Sequence, residues 1–263
     1  MHKVSRRDFL KITAVAGGGL IGASLFSKKI WQSSYVVTDT RELMGTIIHL
    51  KIVCRDEEEG REVIRNTYLE MERVIKMFNL RDPDSQISRL NQAGRLNNAA
   101  PELIDVVSEA IRYGDLSGGA FDITILPVLE HARTGRAVPE SVSRLVDYRN
   151  IQVDGKEIVF RTPGMQITLD GIAKGYVVDQ AVEALKGQGY DQVLVEAGGD
   201  LAVSGNRSHD QEWNIGVSSP RPEKLEGYLA VFSISRGAVA TSGDYLNWFS
   251  EDMSSHHIIN LSL

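Results

Sequence analysis

The chain has a single cysteine, Cys54, among its 263 residues, so no intramolecular disulfide holds it together. An exported version would have to be stable without one, and Cys54 is expected as a small buried apolar residue in a strand. Proline is also scarce, with seven, whereas glycine numbers 24 and falls in no low-complexity tract. The glycines are therefore expected in tight turns. A surplus of basic charge is missing too. Net charge is −6, and Lys3, Arg6, Arg7, Lys11, Lys28 and Lys29 face only Asp8 in the first 29 residues, so the remainder is more acidic still. That distribution leaves no basic footprint for nucleic acid, and none is expected as a partner. The G-x-S-x-G elbow of a serine hydrolase is absent. A zinc site needs grouped His or Cys, and His256-His257 is the one adjacent pair. On a strand, neighbours point to opposite faces, so one of the two would meet a ligand and the other solvent.

The amino terminus has its own logic. Ser5-Arg6-Arg7-Asp8-Phe9-Leu10-Lys11 precedes an uncharged run from Ile12 to Phe26. That run is too short for a comfortable membrane span and has the length of a signal h-region. Paired arginines followed by Phe-Leu-Lys match the twin-arginine export signal. Residues 1–30 are therefore expected to be an export signal, with the protein periplasmic or on the outer face of the cytoplasmic membrane. Gly22-Ala23-Ser24 is the nearest approach to a cleavage site, which leaves anchoring through an uncleaved signal open. Gly17-Gly18-Gly19-Leu20-Ile21-Gly22 fits G-x-G-x-x-G but follows no strand, so it is not read as a dinucleotide fingerprint.

From residue 31 the length suits one large domain or two small ones. Met44–Cys54 reads as a strand. Glu57–Leu80 carries Ile64, Tyr68, Met71, Ile75 and Phe78 at helical spacing. Ser85 is an expected N-cap for a short helix ending near Asn91, and Pro101 opens another that Ser117-Gly118-Gly119 ends. Asp122 either caps the following turn or hydrogen-bonds a ligand there. Residues 141–148 are expected to be helical, and Ile151–Val153 with Lys156–Phe160 to form a hairpin around Asp154-Gly155. Gln166–Leu169 reads as a strand, the segment after Lys174 as a helix, and Gln192–Glu196, Glu212–Val217 and Tyr228–Ser235 as strands, with a last one at 254–260. Strands and helices mix irregularly. The expected class is a mixed α/β (α+β) fold, its sheet mixed and largely antiparallel and flanked by helices.

Chemistry concentrates in Ile167–Gly205, which joins two glycine turns that carry ionisable side chains: Asp170 and Lys174 on the first, Glu196 and Asp200 on the second. Gly171 and Gly175 allow close backbone approach to a phosphate, Lys174 can neutralise it, and carboxylates can hold Mg²⁺, which prefers oxygen ligands.

Several motifs in order then carry a resemblance. They are Met44-Gly45-Thr46, Pro83-Asp84-Ser85 with Arg89-Leu90-Asn91, Gly118–Thr124, Leu169–Tyr176, Ala197-Gly198-Gly199-Asp200, Thr241–Tyr245 and His256–Asn260. Together they resemble the FAD:protein FMN transferase family, the ApbE-like flavin transferases. The resemblance implies a T-fold-like domain over 31–263 that binds FAD and Mg²⁺ outside the cytoplasmic membrane. It implies attachment of FMN through a phosphoester to a Thr or Ser of a flavoprotein subunit of a membrane or periplasmic redox complex. Matching positions imply flavin-nucleotide contacts at Met44, Ala120, Phe121, Asp122, Thr168, Lys174, Gly198, Gly199, Asp200, Ser242, Ile258 and Ile259. They also imply a metal contact through the Gly171 carbonyl, and His257 as the base that takes the acceptor's proton. Two alternatives stay open, a non-catalytic FAD-binding maturation protein and an FAD pyrophosphatase, as does a homodimer.

The chain departs from the family pattern in three places. Thr168 stands where the family usually has Asp, and no aromatic lies just before Pro83. Relatives also continue past the His-Ile-Ile strand into a segment whose Asp and Thr complete the Mg²⁺ site. The domain is therefore expected to be incomplete at its carboxyl end, as a truncated product, a fragment or a version relieved of catalysis.

Overall fold

The computed structural model describes residues 34–208, 210–219, 227–243, 248–250 and 256–259. The expected export signal, residues 1–30, lies outside the described residues. In chain order the elements are β1 (Tyr35–Leu43), β2 (Thr46–Cys54), α1 (Glu57–Phe78), α2 (Gln86–Ala93), β3 (Arg95–Leu96), α3 (Pro101–Leu116), α4 (Leu126–Arg133), α5 (Glu140–Ser143), β4 (Ile151–Asp154), β5 (Glu157–Phe160), α6 (Ala173–Gly187), β6 (Val193–Ala197), β7 (Asp200–Ser204), β8 (Trp213–Ser218), β9 (Tyr228–Ile234) and β10 (Arg236–Ala240). Every strand pairing among them is antiparallel, as expected for a mixed α/β chain with a largely antiparallel sheet. The chain divides into two compact units, residues 1–70 with 178–241 and residues 71–177 with 242–263.

The first unit is built on a five-stranded sheet of order β1-β2-β6-β7-β10. Alternation along β2 sends Ile48, Leu50, Ile52 and Cys54 into the core on one face and His49 and Lys51 to the other. Helix α1 lies on the first face. Its Gly60 approaches Cys54 and Val37 so closely that an added Cβ would sit 2.7 Å from the Cys54 sulfur. Its Tyr68 is fully buried and donates its hydroxyl to the Ile48 carbonyl at 3.0 Å and the Asp39 carbonyl at 3.2 Å. Cys54 is buried, as expected from its apolar setting. On the opposite face Leu194, Leu201 and Val203 pack with Trp213 and Ile215 from the β8-β9 hairpin. Covered on both sides, β6 is buried along its whole length.

The second unit holds α2, α3, α4 and a three-stranded sheet of order β3-β5-β4. Ser85 caps α2 by accepting from the Ser88 N–H, and Gly94 in the left-handed region closes it. Leu103, Val106, Val107 and Ala110 of α3 face the interior. Tyr148 packs flat on α3 where Gly114 leaves room, and its hydroxyl donates to Asp115 at 2.8 Å.

Four expectations need correction. In α1, Val74 takes the buried position and Ile75 is only half-buried, because the helical stripe drifts from a strict repeat. Residues 141–148 are not one helix; α5 ends at Ser143, and Asp147 caps a separate 3-10 turn at Tyr148–Asn150. Gln166–Leu169 joins no ladder. Residues 256–259 contain one isolated bridge, Trp248 to His256, rather than a strand. Four strands were not foreseen: β1, β3, β7 and β10. A Cβ at position 114 would lie 2.8 Å from the Tyr148 ring. Gly114→Ala is therefore expected to lower stability by about 1–3 kcal/mol, because the displaced ring belongs to a filled core. Denaturant unfolding checks this through a lower midpoint at unchanged slope.

Candidate functional site

In the second unit the candidate residues gather where the chain enters α6. Ile167, Thr168 and Leu169 are buried without a neighbouring strand, so their backbone groups need other partners. Asn91, at the end of α2, provides two of them. Its Nδ2 donates to the Ile167 carbonyl at 2.9 Å and its Oδ1 accepts from the Ile167 N–H at 2.8 Å. The Thr168 N–H donates to the Ile123 carbonyl at 2.8 Å. Thr168 is itself buried, and its hydroxyl accepts from the Asp170 N–H at 3.2 Å. The Leu169 carbonyl then accepts from both Ile172 and Ala173, which starts the 15-residue α6.

This path sets Gly171 against Phe121. A Cβ on Gly171 would lie 3.1 Å from the ring, tighter than an ordinary contact, so the absence of a side chain lets the ring approach the turn. Phe121 is held from behind by Tyr113, edge to face at 6.3 Å, and its N–H donates to the Ser117 hydroxyl at 2.9 Å. Ala120, just before it, is exposed. Asp122 acts as the cap. One oxygen accepts from the Thr124 N–H at 2.8 Å and the Thr124 hydroxyl at 2.6 Å, and the other accepts from the Tyr148 N–H at 3.0 Å. Lys174 stands in the first turn of α6, half-buried. Two residues on, burial, with Asp105 and Glu102 behind it, pushes the Tyr176 hydroxyl up to about 12, so it stays protonated.

Other candidates of this unit sit in irregular chain. Ser242 is exposed, His257 lies in a bend and is half-buried, Ile258 is exposed and Ile259 half-buried. The Ile258 N–H donates to His256 rather than to His257, at 3.3 Å. With a bend at His257, the strand alternation assigned to the histidine pair does not apply.

Four candidates belong to the first unit. Met44 and Gly45 form the two-residue turn between β1 and β2, with φ of 54° and 69°. Gly198 and Gly199 form the equivalent turn between β6 and β7, with φ of 57° and 97°, and Asp200 opens β7. Thr46 fills the space a Gly198 side chain would need. Beside this turn is a polar row that sequence reading did not assemble. The Thr40 hydroxyl meets His49 Nδ1 at 2.8 Å, and His49 Nε2 faces the Glu196 carboxylate at 3.8 Å. Burial, and then Lys51 on the same face, hold the His49 imidazole below its ordinary value. Burial, and then Arg207, likewise lower Lys51, against the pull of Glu196.

Asn91 stood in the Arg89-Leu90-Asn91 motif and Glu196 on the second glycine turn, but their partners were not legible, because Asn91 lies 76 positions from Ile167 and the His49–Glu196 pairing depends on strand order. Among the described residues no three His, Cys, Asp or Glu side chains converge on a metal-sized space. An ion here would depend on isolated oxygen donors, such as the Gly171 carbonyl, which accepts no backbone hydrogen bond from the described residues.

A sequence model described as the ApbE family matches residues 44–262. The chain is 26% identical over 238 residues to an FAD:protein FMN transferase of Haemophilus influenzae, covering 82% of this chain and 68% of that one. It is 28% identical over 234 residues to one of Klebsiella pneumoniae, covering 83% and 70%. Among solved structures, the ApbE protein of Thermotoga maritima superposes with a TM-score of 0.72 at 28% identity, over 86% of this chain and 76% of that one. The flavin transferase ApbE of Vibrio cholerae shares the fold with a TM-score of 0.68 at 24% identity, over 81% and 73%.

Met44 is the candidate whose backbone is strained. A methionine in the left-handed region costs about 1 kcal/mol relative to glycine, and a two-residue hairpin turn favours Asn or Gly there. Met44→Gly is expected to leave stability equal or higher, read as the midpoint of thermal unfolding; a lower midpoint would show that the methionine side chain contributes more than the strained turn costs.

Proposed function

Because the chain belongs to the ApbE family, we propose that it transfers FMN from FAD, through a phosphoester, to a Thr or Ser hydroxyl of a target flavoprotein. The observation that carries this reading is the Gly171–Phe121 approach, where a Cβ would fill the space beside the ring. It brings an aromatic face, a backbone carbonyl and the first turn of α6, with Lys174, into one short stretch of surface. An aromatic face next to a helix N-terminus bearing a cation suits a ligand that joins a flat ring to a pyrophosphate.

In the reaction the acceptor oxygen bonds to the phosphorus of the FMN half, the bond from that phosphorus to the bridging oxygen breaks, and AMP leaves. Phosphoryl transfer of this kind is mostly positioning and charge neutralisation. Lys174 neutralises charge on the pyrophosphate, and the helix start orients it. Phe121 and Ala120 bound the ligand on one side, while Asp122, through its bonds to Thr124 and Tyr148, fixes the loop that carries them. Thr168 holds the entry to the Gly171 turn through Asp170. His257 takes the acceptor proton, and Ser242, Ile258 and Ile259 supply contacts near it.

Magnesium belongs to the proposal as well. Hard oxygen donors are what it takes, and it commonly binds through few protein ligands shared with substrate phosphates. The Gly171 carbonyl fits that mode. When bound, the ion would neutralise charge developing on the pyrophosphate oxygens. The twin-arginine pattern at residues 5–11 supports action outside the cytoplasmic membrane, on a subunit of a redox complex there.

Incubation with FAD, Mg²⁺ and a flavoprotein acceptor domain is expected to leave covalent, fluorescent flavin on the denatured acceptor. AMP release without acceptor would instead indicate a pyrophosphatase, and tight FAD binding with neither product would indicate a maturation protein. Lys174→Ala is expected to weaken FAD binding by about tenfold, as befits loss of one charge-assisted contact. His257→Ala is expected to abolish transfer while sparing binding.

A further inference from the structure

On α2 the buried positions are Ile87 and Leu90, and Asn91, four residues after Ile87, falls on the same inward face. An apolar residue is the ordinary choice there, and asparagine is a weak helix former. An amide at that position calls for a reason beyond the stability of the helix. Ile167, which is fully buried, supplies it. Asn91 Nδ2 donates to the Ile167 carbonyl and Oδ1 accepts from the Ile167 N–H, so one side chain takes the place of a neighbouring strand.

From Ile167 onward each residue up to Asp170 is tied. The Thr168 N–H donates to the Ile123 carbonyl, and the Thr168 hydroxyl accepts from the Asp170 N–H. The Leu169 carbonyl accepts from the Ile172 N–H at 2.9 Å and the Ala173 N–H at 2.7 Å. Ile123 follows directly on Asp122, the cap of the loop that carries Phe121. The strip Ile167-Thr168 is therefore gripped by α2 on one side and by the Phe121 loop on the other. The base of the grip is anchored as well. Ser85 caps the start of α2, Ile87 and Leu90 bury it, and the Gly94 carbonyl at its end accepts from the Phe160 N–H of β5 at 2.8 Å. The motifs Pro83-Asp84-Ser85 and Arg89-Leu90-Asn91 thus act together, one starting the helix and the other ending in the clamp.

We propose that Asn91 is a positioning residue, whose paired hydrogen bonds to Ile167 hold the entry to α6 so that Gly171 and Lys174 stand beside Phe121 for the flavin nucleotide. This inference rests on the functional reading above. Leucine at 91 would keep the branched outline and form helix more readily, but would offer Ile167 neither donor nor acceptor. Aspartate would keep the shape. Its ionised form presents an acceptor to the Ile167 carbonyl, whereas its protonated form again donates there and accepts from the N–H. Burial and the facing carbonyl oxygen favour the neutral form, so what ionisation removes is regained as pH falls.

The experiment measures FAD affinity of the full chain by fluorescence titration, well below the thermal midpoint of each variant. Asn91→Leu is expected to weaken binding by about tenfold, the worth of one buried polar group left unpaired. Because the loss passes through the turn that carries Lys174, Asn91→Leu is expected to cost less affinity in a Lys174→Ala background than alone. Asn91→Asp is expected to bind weakly at about pH 8 and to approach wild-type affinity at about pH 5, with the wild type measured at each pH as reference. A folded Asn91→Leu chain with unchanged affinity overturns the inference alone. So does an equal cost in both backgrounds, or an Asn91→Asp deficit that does not shrink on acidification. Should Asn91→Leu fail to fold, Asn91→Asp decides, starting from the acid end where its carboxyl is neutral. A wild-type chain that binds no FAD, or a Lys174→Ala chain that binds it as tightly as wild type, overturns the functional reading and the inference with it.

Discussion

Buried backbone must find hydrogen-bond partners, and in the second unit the answer to that demand shapes the candidate site. Residues 167–169 run through the interior without a strand beside them. One amide side chain, Asn91, takes both polar groups of Ile167, and Ile123 takes the next N–H. An unpaired buried peptide group costs about 1–3 kcal/mol, so these contacts outweigh any local preference of the segment. They fix where the chain turns into α6, and so where Gly171 meets Phe121 and where Lys174 stands.

The same economy appears at Asp122. Its side chain satisfies two backbone N–H groups and a hydroxyl, joining the 3-10 turn at Ile123–Ile125 to the start of the one at Tyr148. A residue first read as either a cap or a ligand contact is a cap by its observed bonds. With three acceptor positions used inside the protein, its contribution to a ligand would come chiefly from fixing the loop that presents Ala120 and Phe121.

In the first unit the governing feature is the pair of two-residue turns, Met44-Gly45 and Gly198-Gly199, at the ends of antiparallel strands. Both demand positive φ, and only one of the four residues has to bear the strain, Met44. The second turn lies beside a buried carboxylate that holds it by hydrogen bond. One hairpin thus keeps a costly residue and the other a costly charge, and each departs from the choice that stability alone favours.

Much of this was legible in the chain itself. Helical spacing with caps located α1, α2, α3 and α6, and the glycine pairs located the turns, because those signals are local and follow from backbone geometry. The motif order also identified the family, whose model matches residues 44–262. Other features could not be read: β1, β3, β7 and β10, the loss of the expected strand at 166–169, and the bend at His257. A strand exists only if a distant segment pairs with it, and an extended segment without one can be satisfied by a side chain such as Asn91. Strand order alone set His49 opposite Glu196. The sequence by itself determined the elements with internal hydrogen bonds and the conformations that only glycine accepts comfortably. The tertiary structure decided which distant groups satisfy the buried backbone, because that pairing is a property of neighbours in space.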